Sequence, residues 1–323
     1  MTSGESPVYL YNMSFMLKLS RRSSLAYGTP PHIRETQQDV PHPSLEHLCS
    51  VNAPERQTSA AKIFIALFNL TWVLNTFLEQ LYWVDKRHSV GHNQRQNLGR
   101  VLDEWVENLD VDVRRVVIRG TRLETPGAPN LLLAYLTLKL LLRRMELNLE
   151  KECGNNNDPQ ALSHCLVQVR RAAEEIVLLV QDLDEGHLGD FWLPISAFAF
   201  TSTTAFLLRC ALDAENHRDG IGIAGHEPAA SGDGGGLWQS PSIRLAHDLI
   251  VALRRHQERF GWDIGDICLA QYADVIENLV NRSSREQHAD DGTGSGGMAQ
   301  PFVPDASFID ALFPNIWNTL QGI

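Results

Sequence analysis

Phe191–Leu208 reads FWLPISAFAFTSTTAFLL, 18 residues without a charge that still carry Pro194 and the hydroxyls of Ser196, Thr201, Ser202, Thr203 and Thr204. Two readings compete for it. A membrane span needs about 20 predominantly apolar residues, and this stretch is shorter and runs at once into Arg209 and Asp213. A helix apolar on every side also belongs at the centre of a large helical domain. The flanking charges, the proline and the hydroxyls favour the core helix. Its hydroxyls are then expected to bond neighbouring backbone or to line a pocket. Two other apolar runs stop short of a span: Ile63–Leu78 is broken by Asn69 and Asn75, and Leu131–Leu138 ends at Lys139.

Working outward, helical signals recur and strand signals are nearly missing. The segment 8–27 ends at Gly28, with Pro30 and Pro31 beyond it, as a helix with a C-terminal glycine does. The run 29–57 is rich in Pro, His and Gln and reads as an extended loop. Helices are expected over about 58–86 with Ser59 as cap, about 93–109, and from Pro129 to about Glu150. Asp158-Pro159 and Ser240-Pro241 each pair a capping residue with a proline suited to the first helical position. The first opens a helix with Leu162, Leu166, Val169, Ala173, Ile176, Val177 and Val180 on one face, ending near Gly186. The second opens one with Ile243, Ala246, Leu249, Ile250, Leu253 and Phe260 at helical spacing. The opening stretch lies in a helix over about 189–214, and a last helix covers 263–281. Only Val111–Ile118, VDVRRVVI, has β-branched density, and a short helix or a loop serves equally well there. The expected fold is all-α: one large irregular domain of eight or nine helices over 1–282, with a Gly-, Asp- and Ala-rich flexible insertion at 215–239. A disordered linker at 283–304 and a docking segment at 305–323 follow.

The formal net charge of -11 opposes a phosphate-binding surface as the main activity, because such surfaces draw affinity from Lys and Arg. Five scattered cysteines (Cys49, Cys153, Cys165, Cys210, Cys268) contain no CxxC or CxC pair and read as buried small hydrophobes. Two GxGxxG matches, Gly220–Gly225 and Gly292–Gly297, lack the strand before and helix after that a dinucleotide site needs. The histidines of His42-Pro43-Ser44-Leu45-Glu46-His47 stand at i, i+5 beside prolines, not on one helical face, and read as loop residues. Acidic pairs Glu174-Glu175 and Asp182/Asp184 read as solvated. Arginine doublets at 21–22, 114–115, 143–144, 170–171 and 254–255 read as snorkelling surface residues. No catalytic, metal, cofactor or DNA-binding residue is assigned.

Leu19–Pro43, LSRRSSLAYGTPPHIRETQQDVPHP, resembles a stretch in the middle homology region of fungal zinc binuclear cluster transcription factors. Arg21, Gly28, Pro30, Ile33, Asp39, Val40 and Pro41 match its pattern, while Ser20 and Thr29 replace the usual Asp and Arg. The stretch from Phe191 resembles the family's late buried helix. Trp262–Leu269 (WDIGDICL) and Phe313–Trp317 (FPNIW) resemble its cutinase-transcription-factor branch. The family's zinc cluster of closely spaced cysteines has no counterpart in this chain, and neither do the helices expected before Leu19. The chain is accordingly read as starting midway through a regulatory domain, either as a truncated relative or through missed upstream exons.

The resemblance implies a non-enzymatic transcription regulator located in the nucleus, the cytoplasm being the alternative. It implies protein partners, either a full-length transcription factor or the transcription machinery, with a small-molecule effector as a further expectation. DNA would be reached only indirectly or through a further N-terminal module, and no membrane is expected. Two rival readings stay open: a helical enzyme or binding protein acting on a small apolar metabolite, and a membrane-associated protein using 191–208.

Overall fold

The computed structural model describes residues 42–81, 92–152, 159–190, 192–193, 196–220 and 240–289. These are 83% helical with no strand, and the fold is all-α. Ten helices follow in order: α1 (Leu45–Leu48), α2 (Glu55–Leu81), α3 (His92–Glu107), α4 (Val111–Arg119), α5 (Ala128–Glu152), α6 (Pro159–Asp182), α7 (Glu185–Leu188), α8 (Ser196–Gly220), α9 (Pro241–Phe260) and α10 (Asp266–Ala289). The eight or nine expected include the segment 8–27, outside the described residues; α1 and α7, of four residues each, were not expected because single turns are too short to show an apolar period.

The described residues cluster into two compact units, within the span 1–282 read from sequence as one domain. One holds the described residues up to Cys165 together with Leu183–Ser196, and the other holds Leu166–Asp182 and the described residues from Ala197 to Ala289.

In the first unit α2 packs against α3 and α5. Among the described helices, α2 alone is long and apolar enough to cross a membrane, and 67% of its most apolar window is buried inside the protein. The helix starts at Glu55, before the expected Ser59 cap, because the Pro54 carbonyl already accepts from Gln57 and Thr58 N–H. The β-branched run at 111–118 is helical. The Asp110 carboxylate accepts from Asp112 N–H, and Gly120 ends the helix with φ +61°. Asp110 also takes a hydrogen bond from Lys62 Nζ at 3.0 Å, and that bond holds its carboxyl below the ordinary carboxylate range.

In the first unit two arginine doublets depart from the surface reading. Arg114 donates to the carbonyls of Val106, Glu107 and Leu109, closing the C-terminal end of α3. Arg144 is buried. Helix ends leave carbonyls without intrahelical partners, and Arg114 has the reach to satisfy several of them. The opposite end of α5 is held by Asp190, which accepts from Gly127 N–H at 2.6 Å. Asn130 Oδ1 returns the contact by accepting from Leu193 N–H at 3.1 Å.

In the second unit Ser240 caps α9 by accepting from Ser242 N–H, with Pro241 in the first turn, and Gly261 closes the helix with φ +67°. The α9 and α10 helices pack along each other. Several boundaries differ from the sequence reading. The α6 helix stops at Asp182, and α7 restarts from the Asp184 cap rather than continuing to Gly186. The α8 helix extends to Gly220, into the expected insertion, and α10 runs to Ala289, into the expected linker. Polar composition hides helix there because helical hydrogen bonds do not require an apolar face. The expected helix 8–27, residues 221–239, and the linker and docking segments beyond 289 lie outside the described residues.

Gly261 and Gly265 are required for different reasons, which separates their substitutions. A Cβ on Gly261 meets no atom within 4 Å, so only its left-handed backbone resists. Gly261→Ala is expected to cost about 1 kcal/mol. A Cβ on Gly265 would lie 3.0 Å from Leu253 Cδ2 and 3.2 Å from Leu253 Cβ. Gly265→Ala is expected to cost about 1–3 kcal/mol through overpacking. Urea denaturation of the two variants checks this, and a neutral Gly265→Ala contradicts the packing argument.

Candidate functional site

Among the described residues, the three polar side chains with no exposure, Thr203 and Thr204 of α8 and His256 of α9, all lie in the second unit. A helix apolar all round can be buried only if its hydroxyls are satisfied, since an unmet buried hydroxyl costs about 1–3 kcal/mol. Here they bond back along the helix. Thr201 Oγ1 donates to Phe198 O at 3.1 Å, Ser202 Oγ to Ala199 O at 3.2 Å, and Thr203 Oγ1 to Ala199 O at 2.6 Å. Such i−3 and i−4 bonds are the local option open to Ser and Thr inside helices. Of the two outcomes expected for these hydroxyls, backbone bonding is the one seen for these three. Thr204 turns outward from its own helix to Cys268 of α10, Oγ1 and Sγ standing 3.3 Å apart.

Aromatic contacts continue the cluster. Phe200 of α8 meets the Trp262 ring edge-on at 5.7 Å. Trp262 meets the His256 ring of α9 at 5.9 Å, nearly perpendicular. His256 is fully buried, and its Nε2 lies 2.7 Å from the carbonyl oxygen of Val180 in α6. A carbonyl can only accept, so Nε2 carries the proton and neutral Nδ1 keeps a lone pair. That Nδ1 is buried without a hydrogen-bond partner. The neighbouring Arg255 donates to Gln181 O at 2.8 Å. Consecutive side chains of α9 thus satisfy two of the last carbonyls of α6.

The ionisation states follow from burial. Burial raises the Cys268 thiol to about 12, against the smaller opposing effect of its Thr204 contact. Burial, with the Cys268 charge second, raises Tyr272 to about 12 as well. Burial lowers His256 from its ordinary 6.5, opposed by the Val180 bond and reinforced by the Arg255 charge. At neutral pH the cluster is therefore uncharged, a set of matched polar contacts in an apolar interior with no thiolate nucleophile.

The residues weighed from sequence lie elsewhere. His42 stacks on Trp72 of α2 at 5.0 Å and meets Phe68 edge-on at 5.5 Å. His47 Nδ1 accepts from Ser44 N–H at 3.3 Å, tying up the α1 turn. Among the described residues no three His, Cys, Asp or Glu side chains converge as metal ligands. Asp184 caps α7, and Glu174 is exposed on α6. Of the first glycine motif only Gly220 is described, as the last residue of α8; the second lies outside the described residues. His256 was not singled out from sequence, although it falls three residues after Leu253 on the α9 face that buries Leu249 and Leu253. That spacing was the available signal.

No protein-family model matches the chain, and neither a curated protein nor a solved structure matches it.

Thiol reactivity tests the electrostatics of this core. In the native protein at pH 8, Cys268 and Cys210, both buried, are expected to resist maleimide labelling. Cys49 and Cys165, half-buried, are expected to react before either of these two. Peptide mapping by mass spectrometry reads the order, and early labelling of Cys268 contradicts its placement.

Proposed function

We propose that the chain works in transcription regulation, as the regulatory and interaction domain of a fungal-type transcription factor. In this reading it is not an enzyme. It acts in the nucleus through contacts with a full-length transcription factor or the transcription machinery, and a small apolar effector is the ligand class to look for. DNA is reached through a partner or a separate module.

One observation carries the reading. Two of the stretches that resemble the family, FWLPISAFAFTSTTAFLL and WDIGDICL, meet in one core. Phe200 of the first packs against Trp262 of the second, and Thr204 of the first contacts Cys268 of the second. Motifs that recur for structural reasons should pack on each other in this way, and the all-α architecture accords with the same reading. The net charge of -11 favours protein partners over direct phosphate contact.

Tethering supplies the test. The full chain fused to an unrelated DNA-binding domain is expected to change reporter transcription severalfold over that domain alone. A fusion that is expressed, nuclear and inert sinks the proposal. The chain by itself is expected to show no sequence-specific duplex binding at physiological salt, and specific binding there contradicts the indirect route to DNA.

A further inference from the structure

We propose that His256 is a proton-sensitive latch in the second unit, holding the C-terminal end of α6 against α9 when neutral and releasing it when protonated. Four features of the geometry converge on this. The ring is fully buried. Its Nε2–H donates to Val180 O, a terminal carbonyl of α6 that has no partner within its own helix. Its faces and edges are occupied by aromatic rings, Trp262 at 5.9 Å and Phe260 at 6.2 Å. Its Nδ1 has no partner at all.

A proton on Nδ1 creates a buried charge and a buried donor at the same atom, and neither is compensated. The surrounding charged groups are already engaged or face water. Arg255 bonds Gln181 O, and its charge opposes a second positive charge beside it. Arg254 pairs with Glu277 of α10, and Gln257 bonds Asp266. Arg259 lies over the Phe260 ring at 5.1 Å. Asp182 of α6 and Asp263 of the following turn are exposed. On α10, Cys268 and Tyr272 stay neutral throughout the acidic range. The least costly response to the proton is for the ring to reach water, which breaks its bond to Val180 O and uncovers Trp262.

The direction in pH follows from linkage. The native ring takes its proton at a lower pH than the ordinary 6.5, so below 6.5 the unfolded chain binds the proton first. Stability is therefore complete above about pH 6.5 and is lost as pH falls below it, until the native ring also titrates. The matched variant is His256→Gln, whose amide can donate to Val180 O but cannot titrate. Urea denaturation of both proteins between pH 7.5 and 5.0 isolates the one ring from the other histidines. The wild-type folding equilibrium constant is expected to fall, relative to the variant, by up to about tenfold per pH unit below 6.5. Parallel curves for the two proteins overturn the proposal. Should the variant not fold, ring NMR on the wild type decides, with His256 assigned by its contacts to Trp262. An Nε2–H tautomer titrating below 6.5 supports the latch, and a ring titrating at or above 6.5 overturns it.

Discussion

Burying a helix that is apolar on every side places a condition on everything around it. Each hydroxyl the helix carries must find a partner within reach, and each neighbour must present apolar surface or one matching polar atom. In α8 the condition is met from within by Thr201, Ser202 and Thr203, which bond the preceding turn. It is met from outside only once in the contacts described above, at Thr204 and Cys268. Phe200 and Trp262 then close the apolar side.

A second constraint governs the helix ends. In both units, terminal groups are satisfied by side chains from other elements. Arg114 closes α3, Arg255 and His256 close α6, and Asp190 holds the start of α5. A terminal carbonyl buried without a partner costs free energy comparable to a lost hydrogen bond, so these contacts fix the register of one helix against the next. Residues that resemble surface charges in sequence are structural for this reason. His256 differs from the arginines in one respect: its proton is exchangeable near physiological pH.

Much of the fold was legible in the sequence because helix signals are local. Ser240-Pro241 and Pro159 mark starts, and the periodic apolar residues of α6 and α9 mark the faces turned to the core. The candidate site was much less legible. Nothing near His256 in sequence distinguishes a buried ring from a half-exposed one, since its partner Val180 lies 76 residues away. The burial of Arg144 and the carbonyl contacts of Arg114 were hidden in the same way, because doublets of arginine look alike wherever they point.

Read alone, the sequence establishes that the described chain is helical, roughly where its long helices start, and that the apolar stretch carrying Phe200 and Thr204 belongs to a core. Backbone hydrogen bonding, capping and apolar period act within a few residues, so a linear reading can reach them. Which polar groups meet depends on tertiary packing. It set Thr204 against Cys268, Trp262 between Phe200 and His256, and Nδ1 of His256 in an interior without a partner. Those pairings depend on where distant helices cross, and crossing is settled by the packing of whole faces rather than by any residue's immediate neighbours.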